Sequence, residues 1–282
     1  MSPVDSRGDD PPHPPANPAD SRGDALPHSP VRYAREERVA LAALLDETGP
    51  DAPTLCTGWQ TRDLAAHLVV RERRPDAAAG VLGGPLAGHT ARTQARLGER
   101  LTYAQLVQAF RDGPPRLSPF ALPGMDEKAN TVEFFVHHED IRRAAPGWEP
   151  RDIAPGLSGA LWDRLKGARL FLRKAPVGVE LARDAGGEPY RVTLKNATPA
   201  VTVIGTPAEL TMWALGRTSA ANVASTAPKK PSPSSRRGAG SASAGNARAP
   251  VTRERRVMPG VADAWRYWPI SRFMRARSSS TS

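Results

Sequence analysis

The segment Asn130-Thr-Val-Glu-Phe-Phe-Val-His-His-Glu-Asp140 constrains this chain more than any other, because as a helix it sets Glu133 and His137 in the middle of its apolar side. At 3.6 residues per turn, Ala129, Phe134, Val136, Ile141 and Ala144 share that side with Glu133, His137 and Asp140. Thr131, His138, Glu139, Arg142 and Arg143 fall on the other, so the pattern predicts an outward His138 with no ligand role. A buried, unpartnered carboxylate costs several kcal/mol, so such groups are paired or bound to a metal. For an isolated pair, a Glu-His hydrogen bond within the helix is the simpler answer. A third polar residue on another buried helix shifts the balance.

That residue is His67. Gly58-Trp-Gln-Thr-Arg-Asp-Leu-Ala-Ala-His-Leu-Val-Val70 reads as a loop followed by a helix whose stretch from Leu64 to Val70 carries no charge, which predicts a buried His67. Thr61 is the expected N-cap, with Asp63 in the first turn where the helix dipole favours an acid. Two histidines and a glutamate on two helices give three N/O ligands, the number a catalytic zinc-type site uses while it keeps a fourth position open. Asp140, one turn beyond His137, either accepts the proton of that ring's other nitrogen or pairs with Arg142 or Arg143. Cys56, in the loop before the His67 helix, either lies near such a site or packs as a small apolar group.

The segments Leu55-Cys-Thr-Gly-Trp59, Arg62-Asp-Leu-Ala-Ala-His67-Leu and Glu133-Phe-Phe-Val-His137-His-Glu-Asp140 resemble the DinB-like superfamily, in particular the mycothiol-dependent maleylpyruvate isomerase group. The resemblance extends from about Val31 to about Asn222. It implies an α+β chain: a DinB-like four-helix bundle followed by a small α/β C-terminal unit. It also implies one divalent ion on His67, Glu133 and His137, with the low-molecular-weight thiol mycothiol as cofactor and a small electrophile as substrate; by ligand type two histidines and a glutamate suit zinc, and iron, nickel or manganese are compatible. On this reading the protein is a thiol-cofactor transferase or isomerase of unassigned substrate whose metal-activated thiolate is the nucleophile. A metal-binding protein without turnover is the alternative. Arg217, which follows a helix end at Gly216, is a candidate for contacting an acidic substrate or cofactor, or else it caps that helix.

The formal charge of +10 first suggests a nucleic-acid binder, but its distribution does not. Of the 39 Lys and Arg and 29 Asp and Glu, twelve basic and two acidic residues follow Asn222, which leaves 27 of each before it. Nucleic acid is therefore a partner only through the tail, where Trp265-Arg-Tyr-Trp268 mixes aromatics with arginines. A single cysteine excludes an internal disulfide and fits a reducing cytoplasm. No run of about 18 apolar residues is present, so no membrane role is expected. Nucleotide-binding glycine loops and serine-histidine-aspartate arrangements are likewise not evident, and no catalytic residue beyond the metal ligands is singled out.

Four segments are expected along the chain. Residues 1–29, with the repeat Ser6-Arg-Gly-Asp9 and Ser21-Arg-Gly-Asp24, read as a disordered leader. Residues 30–174 are expected to form the bundle, with helices over Tyr33–Leu45, around His67, over Tyr103–Arg111 behind a Thr102 cap, and through His137. Gly80 to Gly88 reads as a flexible linker and His89 as a solvent-facing residue beyond it. A fifth helix over Leu157–Arg173 leads into the α/β unit of residues 175–222. Its strands are expected at Val177–Ala182, Tyr190–Leu194 and Val201–Ile204, with a turn at Asp184-Ala-Gly-Gly187 and a helix from Thr206-Pro207 to Leu215. Residues 223–282 read as a disordered basic tail in place of a closing strand.

Overall fold

The computed structural model describes residues 33–74, 86–116, 118–122, 124–172, 175–184 and 190–226. The expected leader, the tail beyond Thr226, most of the expected 80–88 linker and the turn after Asp184 lie outside the described residues. The fold is mixed α+β. Helices α1 (Tyr33–Thr48), α2 (Thr61–Arg73), α4 (Tyr103–Arg111) and α5 (Met125–Arg142) close around one core. Leu41 and Leu45, Leu64 and Leu68, Leu106 and Phe110, and Phe134 and Ile141 meet there at helical spacing, with Cys56 and Trp59 from the loop before α2.

Through this core runs an ion pair that apolar periodicity does not reveal. Arg38 of α1 lies with its guanidinium 4.7 Å from the Phe134 ring centroid and 5.2 Å from that of Phe110. It donates to both carboxylate oxygens of Glu72 on α2, at 2.6 and 2.5 Å. Glu72 and Arg38 are both buried, so the pair fixes how α1 and α2 face each other.

Local signals explain several helix starts. Thr102 accepts from the Gln105 amide and so caps α4, as expected. At α2 the cap is Gln60, whose amide donates to Asp63 at 3.1 Å. Thr61, the expected cap, is already inside the helix, and its hydroxyl donates to the Gly49 carbonyl. The structure adds α3 (Ala87–Arg100), packed on α2, where no helix is expected. Its buried stripe is Thr90, Thr93 and Gln94, polar residues at helical spacing, so a search for apolar periodicity passes over it. His89 is half-buried near the start of this helix.

After α5 come α6 (Pro155–Arg164), a 3-10 turn over Leu165–Ala168 and the short α7 (Arg169–Leu172), in place of one continuous helix. Gly167, a poor helix former, falls at the break. Four strands follow in the order β2-β1-β3-β4: β1 (Gly178–Arg183), β2 (Tyr190–Lys195), β3 (Ala200–Gly205) and β4 (Ala224–Thr226). β1 pairs antiparallel with β2 and parallel with β3. The β2–β3 connection therefore passes the start of β1, where a Cβ on Gly178 would collide with the Ala197 carbonyl oxygen. β4 supplies a closing strand from residues that composition alone assigns to the tail.

Helix α8 (Pro207–Ala214), capped by Thr206, covers the sheet with Leu210, Trp213 and Ala214. Its other side, Ala208 and Met212, packs with Leu157 and Leu161 of α6 onto Phe135 and Val136 of α5. This third cluster is why the outer side of α5 is not solvent-facing. His138 and Glu139 are buried, against the amphipathic expectation: His138 Nδ1 lies 3.1 Å from Glu37, and Glu139 accepts from Arg143 at 2.7 Å. Arg143 is buried as well and donates to Glu209 of α8 at 2.8 and 2.7 Å. Val136, which the wheel groups with Phe134 and Ile141, packs in this third cluster instead, and both sides of α5 meet protein.

Arg143 thus stands between two buried carboxylates. Removing one partner of such a network leaves uncompensated charge, which costs about 3–5 kcal/mol. We expect Arg143→Ala to lose that much in urea denaturation. Arg142→Ala, which removes a partly exposed ion pair to Glu139, should cost less than about 1 kcal/mol. Equal midpoints for the two variants would contradict the account of this joint.

Candidate metal centre

Helix α2 brings His67 and Arg71, one turn apart, to face Glu133 and His137, one turn apart on α5. His67 Nε2 and His137 Nε2 approach the same oxygen, Glu133 Oε1, at 3.4 and 3.3 Å. The two imidazole rings meet edge to face, 5.3 Å between centroids, and Trp59 lies 5.1 Å from the His67 ring. Trp59 is held by a tight loop: Gly58 adopts a positive φ of 76°, and the Trp59 amide donates to the Cys56 carbonyl at 2.9 Å. The Leu55 amide in turn donates to the Asp140 carbonyl at 2.9 Å, pinning this loop to the end of α5.

Both histidines are buried, whereas the Glu133 side chain is 22% exposed. The trio therefore opens on the Glu133 side. Arg71 borders that opening, its Nε 3.1 Å from Glu133 Oε1 and its guanidinium 5.3 Å from the Phe120 ring centroid. Arg71 also donates to the Ala129 carbonyl at 3.0 Å and to the Asn130 side chain. Sequence reasoning missed this residue, although its position four after a buried histidine places it on the same helix face.

Behind His137 the arrangement is sealed. Its Nδ1 lies 2.9 Å from Asp140 Oδ2, so Asp140 orients the ring and does not pair with Arg142 or Arg143. Asp140 also receives Arg217 through Nε at 2.8 Å and through a terminal nitrogen at 2.6 Å, and the Cys56 thiol at 3.2 Å. Arg217 further donates to the Leu215 carbonyl at 2.7 Å. It thus combines a helix-end contact with a buried ion pair, and its charge is already matched by Asp140.

The electrostatics follow from this geometry. Burial favours neutral Glu133, but Arg71 and the two imidazoles outweigh it and hold the carboxyl well below its ordinary value. Burial likewise opposes charge on His137, yet Asp140, Cys56 and Glu133 hold that imidazole well above its ordinary value. Burial dominates at His67 and pushes it down. Burial and the neighbouring Asp140 push the Cys56 thiol up, which keeps it a proton donor and argues against a thiolate there.

Two trios of ligand-type side chains exist among the described residues, and they share His137: His67-Glu133-His137 and Cys56-His137-Asp140. They use opposite ring nitrogens. In the second, Asp140 is saturated by a guanidinium, a thiol and an imidazole, so it supports the first. Of the residues expected from sequence, His67, Glu133 and His137 converge, Asp140 stands behind them, and Arg217 braces Asp140. His67 Nδ1 is buried without a hydrogen-bond partner among the described residues.

Asp140 is held below the usual carboxylate range against burial by Arg217 and His137. A lowered folded value means that its contribution is present above the unfolded value of about 3.9 and is lost as pH falls below it. Asp140→Asn should therefore cost about 3–5 kcal/mol at pH 7, since it strands buried Arg217 and His137. It should also weaken the fall in stability between pH 5 and pH 3. Urea midpoints across that range check both, and an unchanged acid limb would refute the linkage.

Comparison with known proteins gives a family-model match for part of the chain. No curated protein and no solved structure matches the chain. The family model described as mycothiol maleylpyruvate isomerase N-terminal domain matches residues 31–148, the stretch that contains His67, Glu133, His137 and Asp140. Residues 31–148 of this chain are similar to that domain family.

Proposed function

We propose that His67, Glu133 and His137 hold one divalent cation, zinc by ligand type, and that the site serves a mycothiol-dependent transferase or isomerase. The observation that carries the reading is the convergence of both Nε2 atoms on Glu133 Oε1 at 3.4 and 3.3 Å. Tetrahedral bonds of 2.0–2.1 Å separate neighbouring ligand atoms by about 3.4 Å, so the donors already stand at a spacing that suits such an ion. Metal coordination lowers the pKa of a bound thiol or water, and this supplies a nucleophile near neutral pH.

The chain's own residues supply the rest. Asp140 fixes the His137 tautomer, so that Nδ1 carries the proton and Nε2 faces the trio. Trp59 and the buried wall of α2 limit water at His67. The partial exposure of Glu133 leaves the approach for a thiol and a small electrophile on that side. Residues 30–174 form the metal-binding unit in this reading, and the α/β unit of residues 175–222 braces it through Arg217, which follows α8. One cysteine, held protonated, suits a cytoplasmic setting.

We expect elemental analysis to find one ion per chain. Each of His67→Ala, Glu133→Ala and His137→Ala should weaken zinc affinity at least about 100-fold by competition with a chromophoric chelator, the upper range seen on losing an outer-shell partner. Full occupancy in all three would sink the site. Because His137 is protonated more readily than a free imidazole, zinc must displace its proton. Affinity should therefore fall as pH is lowered and protons should be released on loading. Consumption of mycothiol with an electrophile by the loaded protein, but not by Glu133→Ala, would separate the enzyme from a metal-binding protein without turnover.

A further inference from the structure

The opening of the trio is flanked by a fixed positive charge that the three ligands do not explain. Arg71 is not a free surface arginine. Its side chain is 14% exposed, its Nε lies 3.1 Å from Glu133 Oε1, and two further bonds tie its head to Ala129 and Asn130 on α5. The oxygen it contacts is the one on which both imidazoles converge. A guanidinium on that oxygen competes with any ion held there and adds one positive charge beside it.

Charge balance makes the consequence definite. Behind His137, Asp140 and Arg217 cancel. At the opening, Glu133 is the one carboxylate of the trio, and Arg71 already matches it. A dication held by Glu133 and two neutral imidazoles therefore leaves two uncompensated positive charges in a poorly hydrated place, where such an excess attracts anions strongly. An arginine fork suits carboxylates and other anions better than neutral groups.

We propose that Arg71 is the anion-selecting residue of this site: it weakens the hold on the ion when no anion is present and favours an anionic group, a thiolate or a carboxylate, in the open position. This rests on the metal assignment above. Arg71 acts as a positioning residue, because it aims and neutralises the incoming group without reacting itself. Ion and anion then bind with positive coupling, each raising affinity for the other.

The test uses zinc, the cobalt-substituted protein, and two small probes of opposite character, anionic azide and neutral imidazole. Arg71→Met removes the charge; Arg71→Gln also removes it but can still donate to the Ala129 carbonyl, which guards against a variant that fails to fold. In both, zinc affinity without added anion should rise about tenfold. Azide affinity, read from the visible spectrum of the cobalt protein, should fall at least about tenfold, while imidazole affinity stays within about twofold. A tenfold shift corresponds to about 1.4 kcal/mol. An unchanged ratio of azide to imidazole affinity, or a fall in zinc affinity, overturns the role of Arg71 while leaving the metal site standing. Failure of the unsubstituted protein to take up zinc overturns both.

Discussion

The buried carboxylate of Asp140 is the interaction on which the rest of the structure depends. It is fully enclosed and receives the imidazole of His137, the guanidinium of Arg217 and the thiol of Cys56. Those groups come from helix α5, from the segment after α8 and from the loop before α2. One carboxylate thus ties three distant stretches of chain, and each contributes to the site: the loop carries Trp59, α5 carries two of the three converging side chains, and Arg217 closes the back. A charge this deep is tolerable only because opposite charge and hydrogen bonds meet it fully.

The same helix carries a second polar layer on its other side. Glu37, His138, Arg151, Glu139, Arg143 and Glu209 form a connected set of buried or half-buried ion pairs between the bundle and the C-terminal unit. Such networks are weak evidence for added stability, since apolar replacements of equal volume often do as well. Their effect here is on registration. Arg143 reaches Glu209 and the Ala220 carbonyl together, at 2.7 and 2.6 Å, which fixes how α8 sits on α5 and so where Arg217 arrives.

The site was more legible in the sequence than the fold around it. The spacing of Glu133 and His137 on one helix, with His67 on another, is local periodicity, and it holds because both helices are regular and bury those faces. Arg71 was equally readable as the residue four beyond His67, but an arginine near a helix end looks like ordinary surface charge. His138 and Glu139 were misplaced for a different reason: a helical wheel assumes one wet side, and the α6–α8 layer that covers the other is a tertiary fact. Helix α3 escaped because it buries Thr90, Thr93 and Gln94, whose polarity hides a regular stripe. β4 escaped because three residues of Ala, Ser and Thr become a strand only by pairing with β3.

The two ends of His137 explain why the arrangement has a direction. At Nδ1 the neighbouring charges, Asp140 and Arg217, compensate each other and are shut away from solvent. At Nε2 the neighbours are Glu133 and Arg71, also compensated, but there the carboxylate is partly exposed. The carboxylates of Glu133 and Asp140 flank the His137 imidazole and favour its charged form. In the metal-bound state proposed above, a dication in place of that form's extra proton would leave the sealed side unchanged, since Nδ1 would still donate to Asp140. All of the added charge would then appear at the open side. What the protein offers a ligand is therefore set at the Glu133 and Arg71 end alone, while the Asp140 end holds the geometry still.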